Sequence, residues 1–251
     1  MKKQQKIITL FLALAIMLSA CKKPGPTTFT LKLRAKYGSQ SFALGTPNTD
    51  AAGRVIILSN LEFYLSHIKL IHSDGSTVNV ADVALFSFYD STGLSVTVKN
   101  IEGNFTGISF ACGLDSLEND TTNANLYLPP NPLSANYAMY RPMLDYQFEE
   151  LEGKWDTANI AYANMRYGLN YHIYSNRAYR QTVLNKSFSV SGSPCTLTMY
   201  LDVAQIFNNA ITGSTINIVT EPYCSSSPAD NPDILPVFAN NFSNSFTFDG
   251  P

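Results

Sequence analysis

The sequence predicts an all-β fold, a β-sandwich of antiparallel strands with long loops and one or two short helices. Three observations carry that expectation. Residues 61–70 are apolar on both parities, with Leu61, Phe63 and Leu65 on one face and Tyr64, Ile68 and Leu70 on the other. A strand written that way is covered on both sides and belongs at the centre of a sheet. Many other short runs alternate with period two between turn signals, and no repeat of about 20–50 residues points to a propeller or solenoid. Phe and Tyr number 15 and 14 in a mature part poor in Ala and Glu, a composition that favours strands over helices.

The chain opens on a targeting segment. Lys2, Lys3 and Lys6 form a positive region, and residues 7–17 are an apolar stretch too short to span a bilayer as a helix. Leu18-Ser19-Ala20-Cys21 then resembles a bacterial lipobox. The expectation is a lipoprotein signal peptide over 1–20, with Cys21 lipidated and holding the protein on a membrane leaflet. An ordinary signal peptide followed by a chance Cys is the alternative. Residues 21–28, with Pro24, Gly25 and Pro26, read as a short tether, and 29–251 as a single β domain.

Within that domain Phe29, Leu31 and Leu33 alternate with Thr30, Lys32 and Arg34 and predict a half-buried strand. Residues 41–45 form a short strand, and 54–58 lead into the central strand 61–70. Asp74-Gly75 suits a hairpin turn, because Gly tolerates positive φ, and 78–80 start the return. Further strands are expected at 83–89, 94–98 and 105–112. Residues 118–136 are rich in Asn, Thr and Pro, centred on Pro129-Pro130-Asn131-Pro132, and read as a long, functional loop. Strands follow at 146–153, 167–174, 183–190 and 197–203, then a helical turn at 203–208, another strand at 216–219 and a short amphipathic helix within 237–246.

Composition and motifs exclude several classes of function. Charged residues are 14% with net charge −2 and no basic patch, so nucleic acid is not an expected partner. No Gly-x-Ser-x-Gly elbow, His-Glu-x-x-His pair or phosphate loop is present, and the chain does not read as an enzyme. Cys112 reads as a buried strand-end thiol, while Cys195 and Cys224 sit in loop-like contexts and are the expected disulfide in an oxidising compartment. Asp145, Glu149, Glu150 and Glu152 read as a solvated strand face. Asp115, Glu118 and Asp120 offer loop oxygens of the kind that hold calcium, without the glycine spacing of an EF-hand.

The histidines are His67, His72 and His172. On an extended strand His67 and His72 have opposite parity and cannot chelate together. His172 is flanked by Tyr171, Ile173 and Tyr174, an apolar setting in which neutral imidazole is a good metal ligand. A core histidine bonded to a backbone carbonyl is the plainer reading. Met139 and Met143 offer thioethers to Cu(I), although Met is more often core filler.

Several dispersed blocks resemble one family. Residues 60–70, Asn-Leu-Glu-Phe-Tyr-Leu-Ser-His-Ile-Lys-Leu, resemble the signature strand of the MbnP-like domain. Residues 33–45 resemble its first strand and hairpin. Residues 104–116, Asn-Phe-Thr-Gly-Ile-Ser-Phe-Ala-Cys-Gly-Leu-Asp-Ser, are similar to its Tyr-x-Gly-Ile-x-Phe-x-x-Gly-Val-Asp-Ser run. Met139-Tyr140 with residues 146–153 resembles the block ending in Leu-Glu-Gly, Tyr171-His172 its Tyr-His-x-Gly, and Ala239-Asn-Asn-Phe242 its C-terminal signature. The resemblance implies a periplasmic or lipid-anchored protein of a methanobactin-associated family, binding copper and partnered with a di-haem peroxidase-like protein. It implies Cu(I) on two His, with His172 as the second, assisted in some members by a modified Trp. At the first His position this chain carries Ala35, and Leu33 stands at the Trp position. The Trp-x-Trp that follows Met139 in the family is replaced around 141–143, and Tyr174 replaces the Gly. The expectation is a protein of the bacterial envelope, anchored at the outer membrane, that uses His172 for copper. Its alternative is a non-catalytic lipoprotein that kept the fold, lost the metal and recognises a ligand or protein partner.

Overall fold

The computed structural model describes residues 27–89, 94–142, 145–225 and 233–251. The signal segment 1–20, Cys21, tether residues 22–26 and Met143 lie outside the described residues. Thr27 and Thr28, placed in the tether by sequence, belong to the folded part. Thr27 is buried and donates to Glu102 Oε1 at 2.6 Å, and Thr28 opens the first strand.

The strands, in chain order, are β1 (Thr28–Tyr37), β2 (Gln40–Ser41), β3 (Asn48–Thr49), β4 (Val55–His72), β5 (Thr77–Ser87), β6 (Ser95–Lys99) and β7 (Gly103–Cys112). After the long loop come β8 (Tyr140–Arg141), β9 (Asp145–Tyr146), β10 (Glu149–Asp156), β11 (Tyr167–Ile173), β12 (Arg180–Val190), β13 (Cys195–Asp202), β14 (Tyr223–Ser225) and β15 (Phe246–Thr247). They form the all-β sandwich expected, with a five-stranded sheet ordered β15-β13-β1-β2, β6 also pairing β1, against an eight-stranded sheet. The larger sheet runs β12-β7-β4-β10-β11-β14, with β3 and β5 also on β4. A two-residue pairing of β8 with β9 stands apart.

β4 is the strand the larger sheet is built on. Its hairpin to β5 turns at Asp74-Gly75, where Gly75 has φ +84° and Asp74 Oδ1 accepts from the Ser76 N–H at 2.9 Å. The N–H of Tyr64 donates to the Phe148 carbonyl at 2.9 Å, and its own carbonyl accepts from Gly113 at 3.0 Å. Both groups of one strand residue face the same edge, so β7 and β10 lie end to end along one edge of β4. On one face Phe63 packs edge-on against Phe242, at 5.1 Å between ring centroids, in the C-terminal helix Ile234–Ser243. On the other face Tyr64 donates to the Pro132 carbonyl at 3.0 Å and meets Tyr146 edge-on. The proline-rich loop thus covers the second side at Tyr64. Beyond it a bulge between Ser66 and Lys69 reverses the parity: Leu65 pairs Cys112 and Leu70 pairs Ile108, which share one face of β7, so Leu70 returns to the face of Leu65 and is not opposite it.

The structure departs from the sequence reading at several elements. Not every neighbour is antiparallel, because β1 pairs β13 and β11 pairs β14 in parallel. These partners are far apart in sequence, and no hairpin imposes opposite directions on them. The runs expected at 78–80 and 83–89 form one strand, β5, which ends at Ser87. Residues 216–219 are a turn, not a strand: the Asn217 carbonyl accepts from Thr220 and Glu221, and its side chain from Val219. Ile216 and Ile218 are nevertheless buried, which produced the strand-like pattern. The expected disulfide is corrected as well, since no bond joins Cys195 to Cys224. Cys195 opens β13 of the smaller sheet in register with Phe29, and Cys224 is buried in β14 of the larger sheet in register with Tyr171.

Candidate metal site

The site grows out of the register of three strands. On β10, Glu150 lies opposite Glu62 of β4 and His172 of β11, and Glu152 lies opposite Asn60 and Asn170. Strand alternation sends Leu61, Leu151 and Tyr171 to the core, where each is at most 1% exposed. It sends Asn60, Glu62, Glu150, Glu152 and His172 to the other face. A bulge at Glu152/Gly153 shifts the register there, and the pairing runs on to Asp156 opposite Val55. A Cβ at Gly153 would stand 2.4 Å from the Ile57 carbonyl oxygen, so only glycine lets β4 and β10 approach at that point.

His172 Nε2 lies 2.8 Å from Glu152 Oε1. Ligand atoms of Glu150, Glu152 and His172 all fall within 4.8 Å of one another. Glu150 is buried and fully supported, with Oε1 accepting from Asn60 Nδ2 at 3.0 Å and Oε2 from Gln147 Nε2 at 2.8 Å. Arg141 approaches Glu150 Oε2 at 3.7 Å from the solvent side. Burial and then the charge of Glu152 push the Glu150 carboxyl above its usual range, against opposing contributions from His172, Asn60 and Arg141.

The two amides that hold Glu150 leave something over. Gln147 Oε1 and Asn60 Oδ1 are buried without a hydrogen-bond donor, and Gln147 is 0% exposed. Two lone-pair-bearing oxygens beside two carboxylates make a site that attracts a cation. The acidic run is therefore not the solvated face expected. Glu149 is 1% exposed and Glu150 4%, Glu149 facing the core with Phe63 and Glu150 facing this site.

The other candidates fall elsewhere. His67 sits in a bulge of β4 with φ +51°, its Nε2 3.1 Å from Asp115 Oδ2 and 3.7 Å from Glu118 Oε1. Asp120 is not with them, because Oδ1 accepts from the N–H and Oγ1 of Thr122. His72 lies against the Phe105 ring, 4.4 Å between centroids, with Nδ1 3.3 Å from the Asn104 carbonyl. Met139 is wholly buried in the core. Ala35 shares the buried parity of Phe29, Leu31 and Leu33 in the smaller sheet, whereas His172 projects from the larger sheet on the side opposite Tyr171. A side chain at position 35 thus faces the inter-sheet core and not His172.

Of the predicted ligands among the described residues, His172 stands in this group. Sequence reasoning missed Glu150, Glu152, Gln147 and Asn60. The alternation Glu150-Leu151-Glu152 was the available signal, but matching it to His172 needs the register of β10 against β11.

Comparison with known proteins follows the same lines. The chain matches the family described as MbnP over residues 26–226. It is similar to the solved structure of MbnP from Methylosinus trichosporium, with a TM-score of 0.51 and 15% identity over 85% of this chain and 86% of that one. At that identity the likeness is one of fold. No curated protein matches the chain.

Proposed function

The chain belongs to the MbnP family, and from that premise we propose that it is a lipid-anchored, non-catalytic metal-binding protein of the bacterial cell envelope. The metal site is His172 with Glu152 and Glu150. The lipobox-like Leu18-Ser19-Ala20-Cys21 supports the anchor, and no described helix is long and apolar enough to cross a membrane. The observation that carries the metal reading is the convergence of one imidazole and two carboxylates beside the donorless oxygens of Gln147 and Asn60.

Copper is the metal the family resemblance implies, as Cu(I) on two histidines. The residues present do not fit that form. One imidazole is at hand, and its neighbours in the ligand group are carboxylates. The set fits an ion that accepts both nitrogen and oxygen.

Titration of the mature chain, made with Cys21→Ser, tests the reading. One equivalent of a transition-metal ion binds, and His172→Ala abolishes it. Equal uptake by both proteins, or none by either, would sink it.

A second reading has an observation of its own. A cleft of about 720 Å³ lies between Val83, Leu85, Val96, Pro130, Pro132 and Tyr137, with Glu62 at one side. It fits a small amphipathic ligand, and a metal-free chain that still binds such a ligand would favour it.

A further inference from the structure

We infer that the His172 site selects a divalent ion and rejects Cu(I); the inference rests on the metal reading above and concerns which ion that site takes. Cu(I) is soft and favours thiolate, thioether and imidazole ligands. Among the described residues the converging donors are one imidazole nitrogen and the carboxylate oxygens of Glu150 and Glu152, with no cysteine sulfur among them. Met139 is enclosed in the core, and Cys224 is paired in register with Tyr171, the core-facing neighbour of His172.

Charge points the same way. Glu150 and Glu152 bring two negative charges, and Arg141, at 3.7 Å from Glu150, returns one. The donorless oxygens of Gln147 and Asn60 add negative potential at the buried end. A doubly charged ion meets that potential better than a singly charged one. Glu150 is also held in place, each oxygen tied by an amide N–H, so one ligand needs little reorganisation to receive the ion. Among divalent ions of the first row, nitrogen and oxygen sites favour Cu(II), with Zn(II) below it. The site therefore binds copper in its oxidised state and shares that affinity with zinc.

The test uses the mature chain with Cys21→Ser and three ions: Cu(II) followed by electron paramagnetic resonance, Zn(II) by calorimetry, and Cu(I) by anaerobic competition against a chromogenic chelator. Cu(II) and Zn(II) bind one per chain and displace each other, the Cu(II) spectrum shows one coordinated nitrogen that disappears in His172→Ala, and Cu(I) stays on the chelator. Glu152→Gln, on the exposed side and least demanding of the fold, weakens Zn(II) by about 10- to 100-fold. Retention of Cu(I) more tightly than Zn(II) overturns the inference and leaves the metal reading standing. Failure of every ion to bind, or binding unchanged by His172→Ala, overturns the two together.

Discussion

His172 and Glu152 meet at 2.8 Å although they are not opposite one another, since Glu152 is in register with Asn170 and His172 with Glu150. The contact is diagonal across β10 and β11, and both side chains are about a third exposed, at 27% and 36%. A diagonal, half-solvated pair contributes little to stability. Without metal, His172→Ala is expected to lower unfolding stability by less than about 1 kcal/mol in urea melts. Gln147→Ala is expected to cost more, about 1–3 kcal/mol, because the buried Glu150 carboxylate loses its donor at 2.8 Å. Equal costs would mean that the site is part of the fold's support and not a surface built onto it.

That asymmetry shows what the sequence carries. The two-sided apolar pattern of 61–70 is local, and it located the central strand and its hairpin turn. The Asn- and Pro-rich loop was visible as composition, but not that its Pro132 carbonyl would lie on Tyr64. His172 was marked by its aromatic neighbours. Its partners were not, because they follow from pairings between segments about 20 and about 90 residues apart, which no local period encodes. The parallel pairing of β1 with β13 was hidden for the same reason.

The cysteines give a direct chemical check. Unfolded in guanidinium without reductant, the mature chain with Cys21→Ser should show three reactive thiols: Cys112, Cys195 and Cys224. In the native state Cys195, only partly buried, should react first, while Cys112, 1% exposed and with its thiol pushed upward by burial, should stay protected. A single thiol on unfolding would restore the disulfide that the two sheets keep apart.

His67 carries backbone strain that can be measured. Its φ of +51° is the left-handed region, which costs an ordinary residue roughly 1–2 kcal/mol and suits Asn or Gly better. The bulge against β7 spans His67, which has its ring turned to Asp115 and Glu118. His67→Val is expected to destabilise by about 1–2 kcal/mol relative to His67→Asn in thermal or urea unfolding, because a β-branched side chain tolerates that φ worst. Equal stability of the two variants would show that the bulge has moved and the strain is gone.

Glu149 sets a limit on the alkaline side. It stands on the Phe63 face of the sheet, 1% exposed, and neither carboxylate oxygen has a hydrogen-bond partner. Burial pushes its carboxyl up to about 8, with Arg180 only partly opposing. Below the unfolded value of 4.5 both states hold the proton and the group contributes no pH dependence. Between there and about 8 the unfolded chain has lost the proton and the folded chain keeps it, so stability falls as pH rises, by as much as about 1.4 kcal/mol per unit. Above that range both states are ionised and the slope ends. Urea unfolding from pH 5 to 9 should show this decline, and Glu149→Gln should flatten it, because the amide keeps the shape and has no proton to lose. Parallel curves for the two proteins would place the proton elsewhere and mean that the core holds Glu149 ionised against the cost of burying a charge without a hydrogen-bond partner.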